Sequence, residues 1–360
     1  MMPVSSPPAM LRPLALAALT LLLALPARAQ TLPAGVDSLA RAFMAQTNAP
    51  SLVVAVTRGG VRTVAGYGLV DGAAPDGRTR YEIGSVTKTF TSLALAQAVG
   101  RGEVGLGTPV QALLPDSVRL AVVGRPVTLG DLASHAAGLP RLPAPMTPAS
   151  ILDPYADYSA SDLMRFVASV RPDSAGVRYA YSNVGTGLLA YALARRAGTG
   201  VEALLLRDVA GPLGLASTTM SGPVAAPHTG SGTPIAPWAW TDALAGAGGL
   251  RSDAADLLTL AEAIARPDRA PALSDAIRLA TAPRFAATGR FRVGLAWHLL
   301  PEAAGPVRSV VHNGATFGSV AFVGVLPGED VGVVLLANVG AAGPLDALAG
   351  QIMRVLAPAP

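Results

Sequence analysis

The sequence predicts an α/β (α+β) fold: one antiparallel sheet assembled from N- and C-terminal segments, flanked by helices, with a mostly helical region inserted between the two halves. Three observations predict it. Short β-rich runs at residues 51–57 and 62–69 are split by Gly59-Gly60, a hairpin signal. Further β-rich runs at 291–299, 308–312, 317–325 and 331–338 crowd the C-terminal third, with turns at Gly305-Pro306 and Pro327-Gly328. Between these regions the apolar residues recur at helical spacing, over 87–99, 129–135, 160–170, 184–196, 201–209, 254–264 and 273–281. Helical patterns at 34–47 and 345–356 bracket the whole. The sheet is thus expected from about 50–70 and 290–340, and the helical region over about 85–285. Two Pro/Gly-rich stretches, 138–154 and 211–249, are long for ordinary connections and are read as walls of a binding cleft.

The first 29 residues read as an export leader. Arg12 gives a positive start, residues 14–25 form an apolar run, and Ala27-Arg28-Ala29 fits the small-x-small cleavage rule. The run is short for a bilayer span, so no stable membrane insertion is expected after its removal, and a periplasmic or secreted location follows. Residues 30–360 are expected to form the folded domain. Charged residues make up 14% of the chain, against about 25% in typical domains, and 51% are hydrophobic, enough for a large core. Losing Arg12 and Arg28 with the leader lowers the formal charge from +4 to +2. No segment joins basic residues with aromatics, which argues against nucleic-acid binding. There is no cysteine, hence no disulfide and no thiolate metal site. No His/Asp/Glu group has metal-ligand spacing, so neither metal nor cofactor is expected. A small-molecule or peptide substrate is the expected partner, and a monomer the favoured assembly.

Lys88 is the only lysine among 27 Lys+Arg residues, and it stands three positions after a serine in Gly84-Ser85-Val86-Thr87-Lys88. Arginine serves wherever a permanent charge suffices; lysine alone loses its proton readily on burial. Spacing of three at the start of an apolar helix puts Ser85 and Lys88 on one face of its first turn. There the helix dipole disfavours an ammonium. The reading is a nucleophile beside its proton acceptor; the plain alternative is an N-cap serine and a solvated lysine. Tyr181-Ser182-Asn183 precedes another apolar helix. Its tyrosine can pass a proton and its asparagine can grip a peptide-like amide, although for Asn183 taken alone capping that helix is the better account. His312-Asn313-Gly314 ends a predicted strand, where glycine lets a substrate backbone approach and histidine can orient the tyrosine or meet a carboxylate. An Asn-Gly turn after a strand-end histidine is the competing explanation.

These elements, in this order, resemble the penicillin-recognising serine hydrolases: class C β-lactamases, serine D,D-carboxypeptidases, D-aminopeptidases and related family VIII-type esterases. The resemblance extends to Tyr81-Glu82-Ile83-Gly84, Leu132-Ala133-Ser134-His135-Ala136-Ala137-Gly138-Leu139-Pro140, Gly248-Gly249-Leu250 and residues 333–338. It implies a β-lactamase/transpeptidase-like fold and an exported hydrolase of β-lactam, D-amino-acid peptide or acyl ester substrates. The alternatives are an esterase without peptidase or β-lactamase activity, and a penicillin-binding sensor or scaffold that does not turn over. It implies Ser85 as the acylated nucleophile, Lys88 and Tyr181 as proton carriers, and Asn183 and His312 as substrate contacts. Asn313, Gly314 and Ala315 fall in the third element, with the N–H groups of Ser85 and Ala315 as oxyanion donors. One departure stands out. Class C enzymes usually have Lys-Thr-Gly where this chain has His-Asn-Gly, and an imidazole anchors a carboxylate less well than an ammonium. By the same resemblance His135 is read as structural. His228 and His298 have no partner at a telling spacing, and Trp238 and Trp240 are either substrate contacts or loop anchors.

Overall fold

The computed structural model describes residues 31–288, 291–301 and 307–357; the expected leader and the Gly305-Pro306 turn lie outside them. From Thr31 on, the chain forms one compact unit. Its main sheet has eight antiparallel strands. In chain order they are β1 (Ser51–Arg58), β2 (Val61–Gly68), then β5 (Phe285–Thr288), β6 (Phe291–Val293), β7 (His298–Pro301), β8 (Val307–Ala315), β9 (Val320–Leu326) and β10 (Val331–Ala337). Numbers 3 and 4 belong to a separate two-stranded ribbon, β3 (Tyr81–Glu82) with β4 (Arg251–Ser252). The order across the sheet is β2-β1-β10-β9-β8-β7-β6-β5. The N-terminal hairpin therefore docks on the last strand, Leu52 opposite Ala337, and the helical region is an insertion between the two halves.

Strands β1, β9 and β10 are buried nearly end to end because both faces of the sheet are covered. Leu52, Val54, Val56, Val333 and Leu335 point to one side, where α1 (Ala34–Gln46) contributes Val36, Ala40 and Phe43. The C-terminal helix (Ala342–Leu356) adds Leu345, Leu348 and Ile352 to that layer. Val53, Ala55, Val334 and Leu336 point to the other side, into the core shared with the helical region. That region holds α2 (Thr87–Gly100), α3 (Leu129–Ala133), α4 (Ala160–Ser169), α5 (Asn183–Arg196) and α6 (Val201–Leu205). A π turn at Leu206–Ala210 joins α6 to α7 (Gly211–Leu213); α8 (Ala254–Ala265) and α9 (Ser274–Thr281) follow, and the C-terminal helix is α10. Helix α2 is buried on every side, as an apolar helix without a polar face must be.

The expected 291–299 strand is broken. Gly294–Trp297 turn back between β6 and β7, with Ala296 at φ 63° and its N–H donated to Ala133 O. Tertiary contact with the end of α3 overrides the local β preference here. Strand β8 runs further than expected and carries all of His312-Asn313-Gly314 within the sheet. The 317–325 strand begins only at Val320, because Thr316 and Ser319 close a turn by a 2.9 Å backbone bond.

Candidate active site

Ser85 lies in a 3₁₀ turn, Gly84–Val86, that feeds directly into α2. The turn is pinned on both sides. Ile83 N–H donates to Leu250 O, and the Thr87 hydroxyl accepts from Leu250 N–H. Gly84 has φ 47°, and a Cβ on it would meet the Ala315 backbone at 2.6 Å. A Cβ on Gly314 would come within 1.9 Å of Ile83 O and 2.9 Å of Ser85 N. Two facing glycines thus let the start of α2 close onto the end of β8. The backbones of Ser85 and Ala315 are thereby brought close together.

Lys88, one turn further on, is fully buried. Its Nζ is 2.9 Å from Ser85 Oγ and donates to Ala247 O at 2.5 Å, while lying 5.0 Å from the Tyr181 ring centroid. Burial, aided by the positive charge of Arg141, holds its pKa well below the ordinary lysine value of 10.5. The solvated-lysine alternative is thereby excluded. Burial pushes the Tyr181 phenol up, and its interaction with the Ser85 side chain partly opposes that push. Its ring lies on His135, centroids 4.5 Å apart, and the Arg141 guanidinium sits 5.0 Å from the same ring.

Asn183 is the first residue of α5, but the cap belongs to Ser182, whose Oγ accepts from Gly185 N–H and donates to Pro140 O. The Asn183 side chain is consequently free of capping. Its amide donates to Tyr155 Oη at 3.3 Å, and its carbonyl oxygen is buried without a partner. Tyr155 stacks on Trp240 at 4.3 Å, and Trp238 meets Tyr155, Trp240 and Phe317 edge-on. These aromatics form a wall running from Asn183 to the end of β8. Glu82 braces it, accepting from Trp238 N–H and from the Thr316 hydroxyl at 2.6 and 2.9 Å.

His312 is fully buried, and its Nδ1–H donates to Asn313 O at 2.6 Å. That bond fixes the tautomer, so Nε2, buried and unpartnered, presents a lone pair. Desolvation, with His298 and Lys88 nearby, keeps the imidazole well below its usual 6.5 and therefore neutral at pH 7. Asn313 corrects the sequence expectation. Alternation along β8 sends its side chain to the opposite face, where it donates to Asp346 of α10 at 2.7 Å. It cannot touch a substrate lying against Ser85. Gly314 contributes close approach and Ala315 its backbone.

Several neighbours had no readable signal. His298 stacks on His312 at 5.0 Å and 15°, and its pKa falls to about 4 through burial and the Lys88 charge. His135, by contrast, carries a structural reading in the sequence; it accepts from Ser182 N–H at Nδ1, underpinning the Tyr181 loop through its ring and its backbone. Arg141 and Ala247 sit in the two long loops, where only tertiary contact reveals them. Among the described residues no His/Cys/Asp/Glu group could hold a metal, and no helix is long and apolar enough to cross a membrane.

A family model described as Beta-lactamase matches residues 36–357. A Beta-lactamase of Escherichia coli (strain K12) is 29% identical over 355 residues, covering 86% of this chain and 90% of that protein. The D-alanyl-D-alanine-carboxypeptidase/endopeptidase AmpH of the same organism is 28% identical over 189 residues, 51% of this chain and 49% of its own. The crystal structure of a class C beta lactamase from Rhodobacter sphaeroides matches with a TM-score of 0.76 at 26% identity, covering 90% of this chain and 99% of that one. The Beta-Lactamase/D-Alanine Carboxypeptidase from Pseudomonas syringae shares the fold, with a TM-score of 0.79 at 23% identity and the same coverage. With its serine, lysine and tyrosine gathered at the head of α2, this chain belongs to the beta-lactamase family of transpeptidase-like serine hydrolases.

Proposed function

We propose that the protein cleaves amide or ester bonds of β-lactams, D-amino-acid peptides or acyl esters through an acyl-enzyme on Ser85, and that residues 1–29 direct its export. The observation that carries this reading is the buried Lys88 amine 2.9 Å from Ser85 Oγ. Lys88 Nζ donates to Ala247 O and to Ser85 Oγ, and once the buried amine gives up a proton its lone pair is in reach of the serine hydroxyl hydrogen. Ser85 Oγ attacks the substrate carbonyl as its proton passes to Lys88, and the two backbone N–H groups stabilise the oxyanion. Tyr181 relays the proton to the leaving group, which departs as the Ser85 ester forms. Water, activated by the same pair, then attacks that ester and releases the acid. Asn183 Oδ1, unpartnered and buried, is suited to accept from a substrate amide N–H.

A plain esterase is the second reading, favoured by the neutral His312 where an ammonium would otherwise meet a carboxylate. A sensor that acylates without turnover is the third. Incubation with a fluorophosphonate or with penicillin, followed by mass spectrometry, tests all of them. The expected result is an adduct on Ser85 that is lost in Ser85→Ala, with product released from penicillin, D-alanyl peptide or nitrophenyl ester. Product from the nitrophenyl ester alone selects the esterase, and a persistent penicillin adduct without product selects the sensor. Absence of any adduct with either reagent overturns the reading.

A further inference from the structure

Arg141 lies in the 138–154 loop, and its backbone is stapled to the start of α5. Asn183 N–H and Val184 N–H both donate to Arg141 O, at 2.9 and 3.4 Å, while the Ser182 hydroxyl holds the preceding Pro140 O at 2.6 Å. The guanidinium is thereby placed 5.0 Å from the Tyr181 ring centroid, close enough for its charge to act on Lys88, His135 and Tyr181. It is an exposed residue, and among the described residues no carboxylate pairs with it. A permanent cation with open donors therefore stands beside the phenol that would hand a proton to the leaving group. The third element, by contrast, offers only uncharged imidazole. The ionic anchor missing there is present beside Tyr181.

We propose that Arg141 is a specificity-determining residue that binds a carboxylate on the leaving-group fragment of the substrate, so that the preferred substrates release an acidic product such as an amino acid. The inference rests on Ser85 hydrolysis as proposed above and names its substrate class. The planar guanidinium suits a carboxylate through two parallel N–H···O bonds, and its contact with the Tyr181 ring keeps it beside the phenol before substrate arrives.

The test uses two esters with one acyl group and different leaving groups, 3-hydroxybenzoate and its methyl ester. In the wild type the carboxylate substrate should have the higher kcat/KM. Arg141→Gln should lower that value by about ten- to a hundredfold and the methyl-ester value by clearly less, so that the ratio of the two falls by about tenfold or more. Arg141→Lys should recover part of the loss. Parallel loss on both esters means Arg141 acts through Lys88 or the loop and overturns the proposal, as does no change on either. A binding measurement separates this from failure of the hydrolase reading. On the Ser85→Ala protein, the carboxylate ester should bind about tenfold or more tightly than the methyl ester, and adding Arg141→Gln should erase the preference. Equal affinity for the two esters in the Ser85→Ala protein sinks the Arg141 assignment whether or not the wild type turns over.

Discussion

Gly314 and Ile83 approach so closely that a single methyl group on the glycine would stand 1.9 Å from the Ile83 carbonyl oxygen. The contact sits where β8 meets the turn carrying Ser85, and neither backbone is at a flexible tip. Gly314→Ala must therefore push the turn away from the strand. The expected outcome is a loss of about 1–3 kcal/mol of stability and a fall in Ser85 acylation of about a hundredfold or more as the two oxyanion donors separate. Denaturant melts and the rate of fluorophosphonate labelling measure the two effects. Normal labelling in a folded Gly314→Ala protein would show that the approach is not needed for acylation.

Lys88 offers a test through pH. Its folded-state pKa lies below 10.5, so between that pKa and 10.5 the unfolded chain holds a proton that the folded protein lacks. Stability then climbs as pH rises through this window, and the penalty of burying the amine is gone above about 10.5. Lys88→Met removes the penalty along with the activity. The variant should melt higher than wild type at pH 7, and the gap should narrow as pH approaches 10.5. A gap that does not change with pH would mean the lysine keeps its proton when folded.

The imidazole of His312 should contribute no charge change near neutrality, because burial, His298 and Lys88 all hold it well below 6.5. The acid limb of kcat/KM is then assigned to Lys88 taking up a proton. His312→Gln should lower kcat/KM by about tenfold to a thousandfold while leaving that limb where it was. Pre-steady-state acylation across pH 5–9 decides the matter. Disappearance of the limb in the variant would transfer the titration to His312.

Asn313 faces α10, away from the nucleophile, and its amide is bonded to the half-buried Asp346. Burial raises the Asp346 carboxyl, and the Asn313 hydrogen bond partly offsets this. Asn313→Ala should cost about 1 kcal/mol of stability and leave kcat/KM within about twofold of wild type. A large kinetic defect without a change in melting would restore Asn313 to the site.

Most of the fold and the core of the site were legible in the sequence, for physical reasons that also explain the gaps. Strands β1, β9 and β10 announce themselves because a sheet covered on both faces needs unbroken apolar runs. Ser85 and Lys88 were paired by spacing along one helix turn, the most local geometry a chain has. Gly294–Trp297 was misread as strand because the force that bends it, the bond from Ala296 N–H to Ala133 O, comes from a distant segment. Asn313 was misassigned because a tripeptide reads as one unit, whereas a strand sends adjacent side chains to opposite faces. Arg141 and His298 gave no signal, since their proximity to Tyr181 and His312 exists only after the loops and strands have packed.

The pairing of Leu52 with Ala337 also shapes how the chain reaches this state. The first long strand finds one neighbour at once, through the Gly59-Gly60 hairpin, but its second only when the last strand has emerged from the ribosome. Until then an apolar ribbon waits with an open edge, and the intervening helices have no sheet to rest on. Acquisition of structure should therefore be late and slow, governed by closure of a very long loop. Clipping even the final strand and helix should leave a sticky fragment in place of a smaller working protein.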